Sequence, residues 1–198
     1  MNLKSYSPII TNSILFSILL IFLRIDLVFS DSLPTGGDMG AHIVPTKFFV
    51  SELISNLKIS GWSNDWFAGY PAYYFYFPLP PLVVAILSPF FSFGIAFKIM
   101  VVTSLVLLVF SIQKLISQED KISSHLGFAA GLLFLLTESF TIFGGNLASS
   151  LAGQYSFTYS LAFGNLSIYF LTKSNLKNSL YLSLIHISEP TRLLSIGY

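Results

Sequence analysis

The chain has no cysteine, which excludes disulfides and thiolate metal sites but does not identify the compartment. It is also poor in charge. Asp, Glu, Lys and Arg make up 10% of its 198 residues, against about 25% in an ordinary soluble domain. Ten basic and nine acidic residues leave a net charge of +1, so composition points to no polyanion and no nucleic-acid partner. No Walker-type loop, dinucleotide fingerprint, HExxH motif or GxSxG elbow occurs. Soluble-enzyme chemistry therefore has no support here.

What the chain does have is apolar sequence: 54% hydrophobic residues, 20 Phe, 10 Tyr and a mean hydropathy of +0.74. Low charge across several long apolar runs predicts an all-α, polytopic helical membrane protein. Spans are expected at 8–30, 96–116, 126–143 and 155–172. The run Ile14 to Leu23 has the length of a signal peptide. Arg24 and Asp26 follow it with no small-x-small cleavage pattern, so an uncleaved first span with a cytoplasmic N-terminus is expected. Two residues apart on a helix, Arg24 and Asp26 would not face each other; they are read as reaching to the interface.

Residues 31–76 form the one long segment that is neither span nor short connector. It holds Asp31, Asp38, Glu52 and Asp65, four of the nine acidic residues, and both tryptophans. VPTKFFVSELISNLKIS reads as an amphipathic helix lying on the membrane, with Pro45 in its first turn and Phe49, Leu53 and Leu57 on one stripe. GWSNDWFAGYP reads as a turn region. Residues 77–93 are apolar but carry Pro78, Pro80, Pro81 and Pro89. If this segment crosses, the lysine-bearing connectors after the second and fourth spans fall outside. If it only dips into the outer leaflet, they fall inside with Lys4. The positive-inside rule favours a re-entrant segment, and prolines at membrane depth agree with it.

The candidate chemistry is sparse. Asp38 and His42, spaced i, i+4, would share a helix face and could hold a divalent cation; alternatively Asp38 caps a helix beginning near Met39. Asp65 is either a cap or a polar contact in a cavity. Glu138 stands near the outer end of an apolar span, where a carboxylate is costly unless it faces a cavity or partner. GGNLASSLAGQYSF supplies Asn146 and Gln154 among small residues that either present donors to a ligand or pack helices.

The outer-loop pattern GGDMGAH, then GWSNDWFAGYPAYYFYFPLPPL, then GGNLASSLAGQYSF, resembles a group of multi-span bacterial membrane proteins called 6-pyruvoyl-tetrahydropterin synthase-related. These are similar to the polytopic GT-C glycosyltransferases, which use lipid-phosphate-linked sugars. The resemblance covers roughly Asp31 to Phe170 and implies no pterin chemistry. It implies a bacterial inner (plasma) membrane enzyme working at the outer face on a polyprenyl-phosphate sugar, with a divalent metal (Mg or Mn). Asp38 and Glu138 are the implied catalytic acids, and Asp38 and His42 the implied metal ligands. Substrate contacts are expected from His42, Asp65, Trp66, Tyr70, Tyr74, Asn146 and Gln154. The pattern would place an acid where Gln154 stands, and a carboxamide cannot act as a base. A different class, a non-catalytic lipid- or glycan-binding or transport subunit, fits the same hydropathy.

The tail LSLIHISEPTR, from Leu182 to Arg192, resembles the translation of a transposase-based sequencing adapter. Residues 182–198 are therefore expected to be artefactual, and residues 1–181 an N-terminal part of a longer membrane domain.

Overall fold

The computed structural model describes residues 3–65, 68–117, 124–137 and 144–186. Among the described residues the chain is helical apart from one small hairpin. Helix α1 (Leu3–Phe22) leads into a short α2 (Ile25–Val28). The expected single span 8–30 is therefore interrupted. Arg24 adopts a left-handed conformation, φ 47° and ψ 57°, and its guanidinium donates to both Asp26 carboxylate oxygens at 3.0 and 2.8 Å. The two residues that would not meet on one continuous helix meet because the helix breaks at Leu23 and Arg24, which makes a fork-to-fork pair possible.

Helix α3 (Met39–Phe48) begins directly after Asp38 and continues through a wide π turn (Phe49–Leu53) and a tight turn (Ile54–Asn56). Pro45 consequently lies inside the helix and not in its first turn. The expected turn region is partly ordered as an antiparallel hairpin. Its strands are β1 (Gly61–Ser63) and β2 (Tyr70–Ala72), with Trp62 opposite Pro71. Helix α4 (Leu79–Leu87) starts on Pro80 and Pro81, whose missing amide hydrogens cost nothing there. Its nine residues rise only about 13 Å, less than half of a bilayer core.

Helix α5 (Phe93–Ile116) is the central element, and α1, α4, α6 (Ser124–Leu135) and α8 (Tyr155–Thr172) pack around it. Helix α9 (Leu176–His186) closes on α8, where the Ser167 and Ser179 hydroxyls meet at 3.0 Å. Two buried clusters share α5. In one, Met39 and Val84 meet Phe97, Met100, Tyr155 and Tyr159; in the other, Leu19 and Leu23 meet Leu105, Val109, Phe128 and Leu132. Gly127 and Gly131, spaced as in small-xxx-small contacts, let α6 lie against α5; a Cβ at Gly131 would sit 2.9 Å from the Val109 carbonyl. Lys98 ties α5 to the segment after α2, its ammonium donating to the carbonyls of Leu27 (2.7 Å) and Ser30 (2.6 Å) and to the Ser30 hydroxyl (2.9 Å).

Among the described residues, α5 is the one helix both long and apolar enough to cross a membrane; 10–22 and 124–135 are apolar but shorter. Helix α8 has 18 residues but carries Ser, Thr, Tyr and Asn along its length. Its expected range, 155–172, is reproduced to the residue. The last residues of the expected span 126–143 lie outside the described residues.

Candidate functional site

The site forms where the GGD loop meets the LAGQ loop. Gly37 (φ 51°) touches Ala152 so closely that any side chain would collide with the Ala152 backbone, and the Asp38 amide donates to the Ala152 carbonyl at 2.7 Å. From the other side comes Gly153 at φ +119°, where a Cβ would lie 3.0 Å from Asp38 Cβ and 3.2 Å from His42 Cδ2. Both glycines supply backbone conformations and clearances that other residues lack. Across this seam Gln154 Nε2 donates to Asp38 Oδ2 at 3.4 Å.

Asp38 occupies the N-cap position of α3, yet its side chain makes no capping hydrogen bond. The carboxylate is exposed and is held toward Gln154, so of the two readings of Asp38 the cap is the one the geometry rejects. One turn along, His42 packs its ring against Tyr76 (centroids 6.0 Å apart) and edge-on to Tyr155 (5.3 Å). Burial holds the imidazole below its ordinary range, with the Asp38 charge pulling weakly the other way. His42 is thus neutral near pH 7 and keeps a nitrogen lone pair.

His42 and Tyr155 also line a cavity of about 440 Å³ enclosed by α3, the hairpin and α4. Its other walls are aromatic and prolyl, including Tyr70, Tyr73, Tyr76, Phe77 and Pro81. Burial raises the Tyr70 and Tyr73 hydroxyls above their usual range, so both are neutral donors. Tyr73 is fixed at φ 60° with its ring edge-on to Phe49 at 4.9 Å. Asp38 and Gln154 lie just beyond His42, outside the lining. The arrangement is an apolar chamber with a carboxylate, a carboxamide and a neutral imidazole at one end.

The structure sorts the remaining candidates. Tyr70 lines the cavity, whereas Tyr74 points to solvent and is 62% exposed. Asp65 lies in a separate cleft on the opposite side of α3 and interacts with Ser63. Asn146 is buried, and its side-chain oxygen caps the helical turn α7 (Leu147–Ser149) through the Ser149 amide at 2.8 Å. Trp66 and Glu138 lie outside the described residues. Tyr155, Thr46 and the two seam glycines were missed by sequence reasoning; Tyr155 adjoins Gln154, but no spacing signal linked it to His42.

The donor set suits a hard cation in one respect. Asp38 offers an exposed carboxylate one helical turn from His42, with the Gln154 amide at 3.4 Å. Among the described residues, no group of three or more His, Cys, Asp or Glu side chains could hold a metal ion. Comparisons with protein-family models, curated proteins and solved structures returned no match.

Proposed function

We propose that the protein is a GT-C-like membrane glycosyltransferase of the bacterial inner membrane that takes its sugar from a polyprenyl-phosphate donor at the outer face, for cell-envelope glycan assembly. The observation that carries this reading is the seam itself. Two loops 116 residues apart bring an exposed acid and a neutral histidine to the mouth of an aromatic chamber. The chamber suits an isoprenoid chain, and the polar end suits the phosphate and sugar that follow it. Mg²⁺ or Mn²⁺ held by Asp38, with His42 as nitrogen ligand, would neutralise the phosphate leaving group. Tyr70 and Tyr73 would orient the donor through their neutral hydroxyls, while Gln154 holds the Asp38 carboxylate in place.

The membrane part of the reading rests on the distribution of side chains. On α1, Ile10, Ile14, Ile18 and Ile21 are exposed, while Ser104, Ser111, Gln113, Thr158 and Ser160 are buried between helices. A soluble bundle shows the reverse. With α1, α5, α6 and α8 as spans, α4 dips into the outer leaflet and the N-terminus is cytoplasmic.

One observation favours a non-catalytic lipid- or glycan-binding subunit instead. The partner of Asp38 is a carboxamide, and no second acid stands at the seam among the described residues. Asp38→Asn, set beside the unaltered protein, separates the two. In the full-length protein in vesicles with polyprenyl-phosphate sugar, transfer is expected to fall by about a hundredfold or more. Full retention of transfer in the variant would overturn the role given to Asp38, whereas no transfer by the unaltered protein under the same conditions would favour the binding subunit.

A further inference from the structure

We infer that the cleft on the opposite side of α3 is a saccharide subsite built on Trp62. The cleft has a volume of about 850 Å³ and lies along the face of α3 that turns away from His42. Trp62 is 61% exposed, but it is not a loose surface aromatic. Gly69, at φ +99°, lies against the Nε1 edge of the indole; a Cβ there would meet Cε2 at 2.8 Å and Cζ2 at 2.9 Å, with Nε1 closer still. The ring nitrogen donates to Asn64 Oδ1 at 3.1 Å. Backbone and a hydrogen bond thus both hold the Nε1 edge of the ring, which fixes its orientation and leaves the remainder open.

Around that platform stand Lys47, Ser51, Glu52, Asn64 and Asp65. Two carboxylates accept, the ammonium donates, and the hydroxyl and amide do both. A flat apolar face ringed by mixed donors and acceptors, two carboxylates to one ammonium, matches a neutral polyhydroxylated ring. The polarised C–H groups of such a ring meet the negative face of the indole, and its hydroxyls meet the rim. A phosphate would be repelled by Glu52 and Asp65, and a simple cation would gain nothing from Lys47. Helix α3 separates this cleft from the chamber, so the subsite holds sugar units away from any reacting centre. It does not depend on the transferase reading.

The full chain, in a detergent without a sugar headgroup, is examined by saturation-transfer NMR against trisaccharides of glucose, mannose, galactose and N-acetylglucosamine. Saturation is expected on ring C–H protons of at least one trisaccharide at millimolar concentration. Trp62→Ala weakens that binding by about tenfold or more, equal to about 1.4 kcal/mol. Glu52→Gln weakens it by about threefold, and Asp38→Asn leaves it unchanged. No saturation of any trisaccharide overturns the proposal. So does a folded Trp62→Ala protein that binds sugar as before, or one that loses only partitioning into phosphatidylglycerol vesicles. If Trp62→Ala does not fold, Glu52→Gln decides alone, and unchanged binding there overturns the subsite. Loss of transfer in Asp38→Asn bears only on the transferase.

Discussion

Gly153 sits at φ +119° with Asp38 and His42 within 3.0 to 3.3 Å of where a Cβ would be. Gly153→Ala therefore combines backbone strain with a clash against α3 and should cost about 1–3 kcal/mol. Gly36, also at positive φ but with nothing within 4 Å, is the control for strain alone. Gly36→Ala should lower the midpoint of thermal unfolding clearly less than Gly153→Ala. His42 adds a pH dependence. Burial depresses its folded pKa below the ordinary imidazole value of 6.5, so below that pH the unfolded chain takes up a proton that the folded chain refuses. Stability should fall as pH drops below about 6.5, and His42→Gln should flatten that limb of a melting-temperature profile. At this scale the sequence was partly readable. The i, i+4 spacing of Asp38 and His42 correctly placed them on one turn. Gln154 could not be paired with Asp38, because nothing local encodes a contact across more than a hundred residues. Asn146, read with alternatives as a donor or a packing residue, proved to be a helix cap.

The helices were legible where apolar length alone decides. Helix α8 covers the expected 155–172, and α5 differs from 96–116 only by starting three residues earlier. Misreadings arose where a single residue overrides the pattern. Arg24 breaks the first apolar run by turning left-handed to chelate Asp26, and the onset of α3 at Met39 buries Pro45 in a helix interior. The close approach of α6 to α5 was also not anticipated, since GFAAG looked like any other apolar stretch. Gly131→Ala tests it. With the Val109 carbonyl 2.9 Å from the new Cβ, the helices must part, at a cost of about 1–3 kcal/mol. Chemical unfolding in detergent should show the loss, while Gly40→Ala, with nothing within 4 Å, should not.

For the whole molecule, the question is which helices cross and in what order. In the proposed arrangement α5, α6 and α8 cross and α4, with nine residues, does not, so the connectors after α5 and α8 would share a side. The positive-inside rule would then put that side in the cytoplasm. A reporter fused after Glu119 should therefore report a cytoplasmic location; an external one would require a crossing between residues 77 and 93 and would separate the two seam loops across the bilayer. The Asp26 to Arg24 pair, fully exposed, should matter little at this scale, and Asp26→Asn should leave the melting temperature unchanged.

The seam between Gly37 and Gly153 also has a consequence in time. Its two halves are 116 residues apart, and at roughly 5–20 residues per second of synthesis the first waits about 6–23 s for the second. During that interval Asp38 and the ring of His42 have neither Gln154 nor Tyr155 beside them. The nascent chain thus carries an open carboxylate and an unroofed aromatic chamber until α8 arrives, and in that window a chaperone or a premature lipid could occupy the chamber.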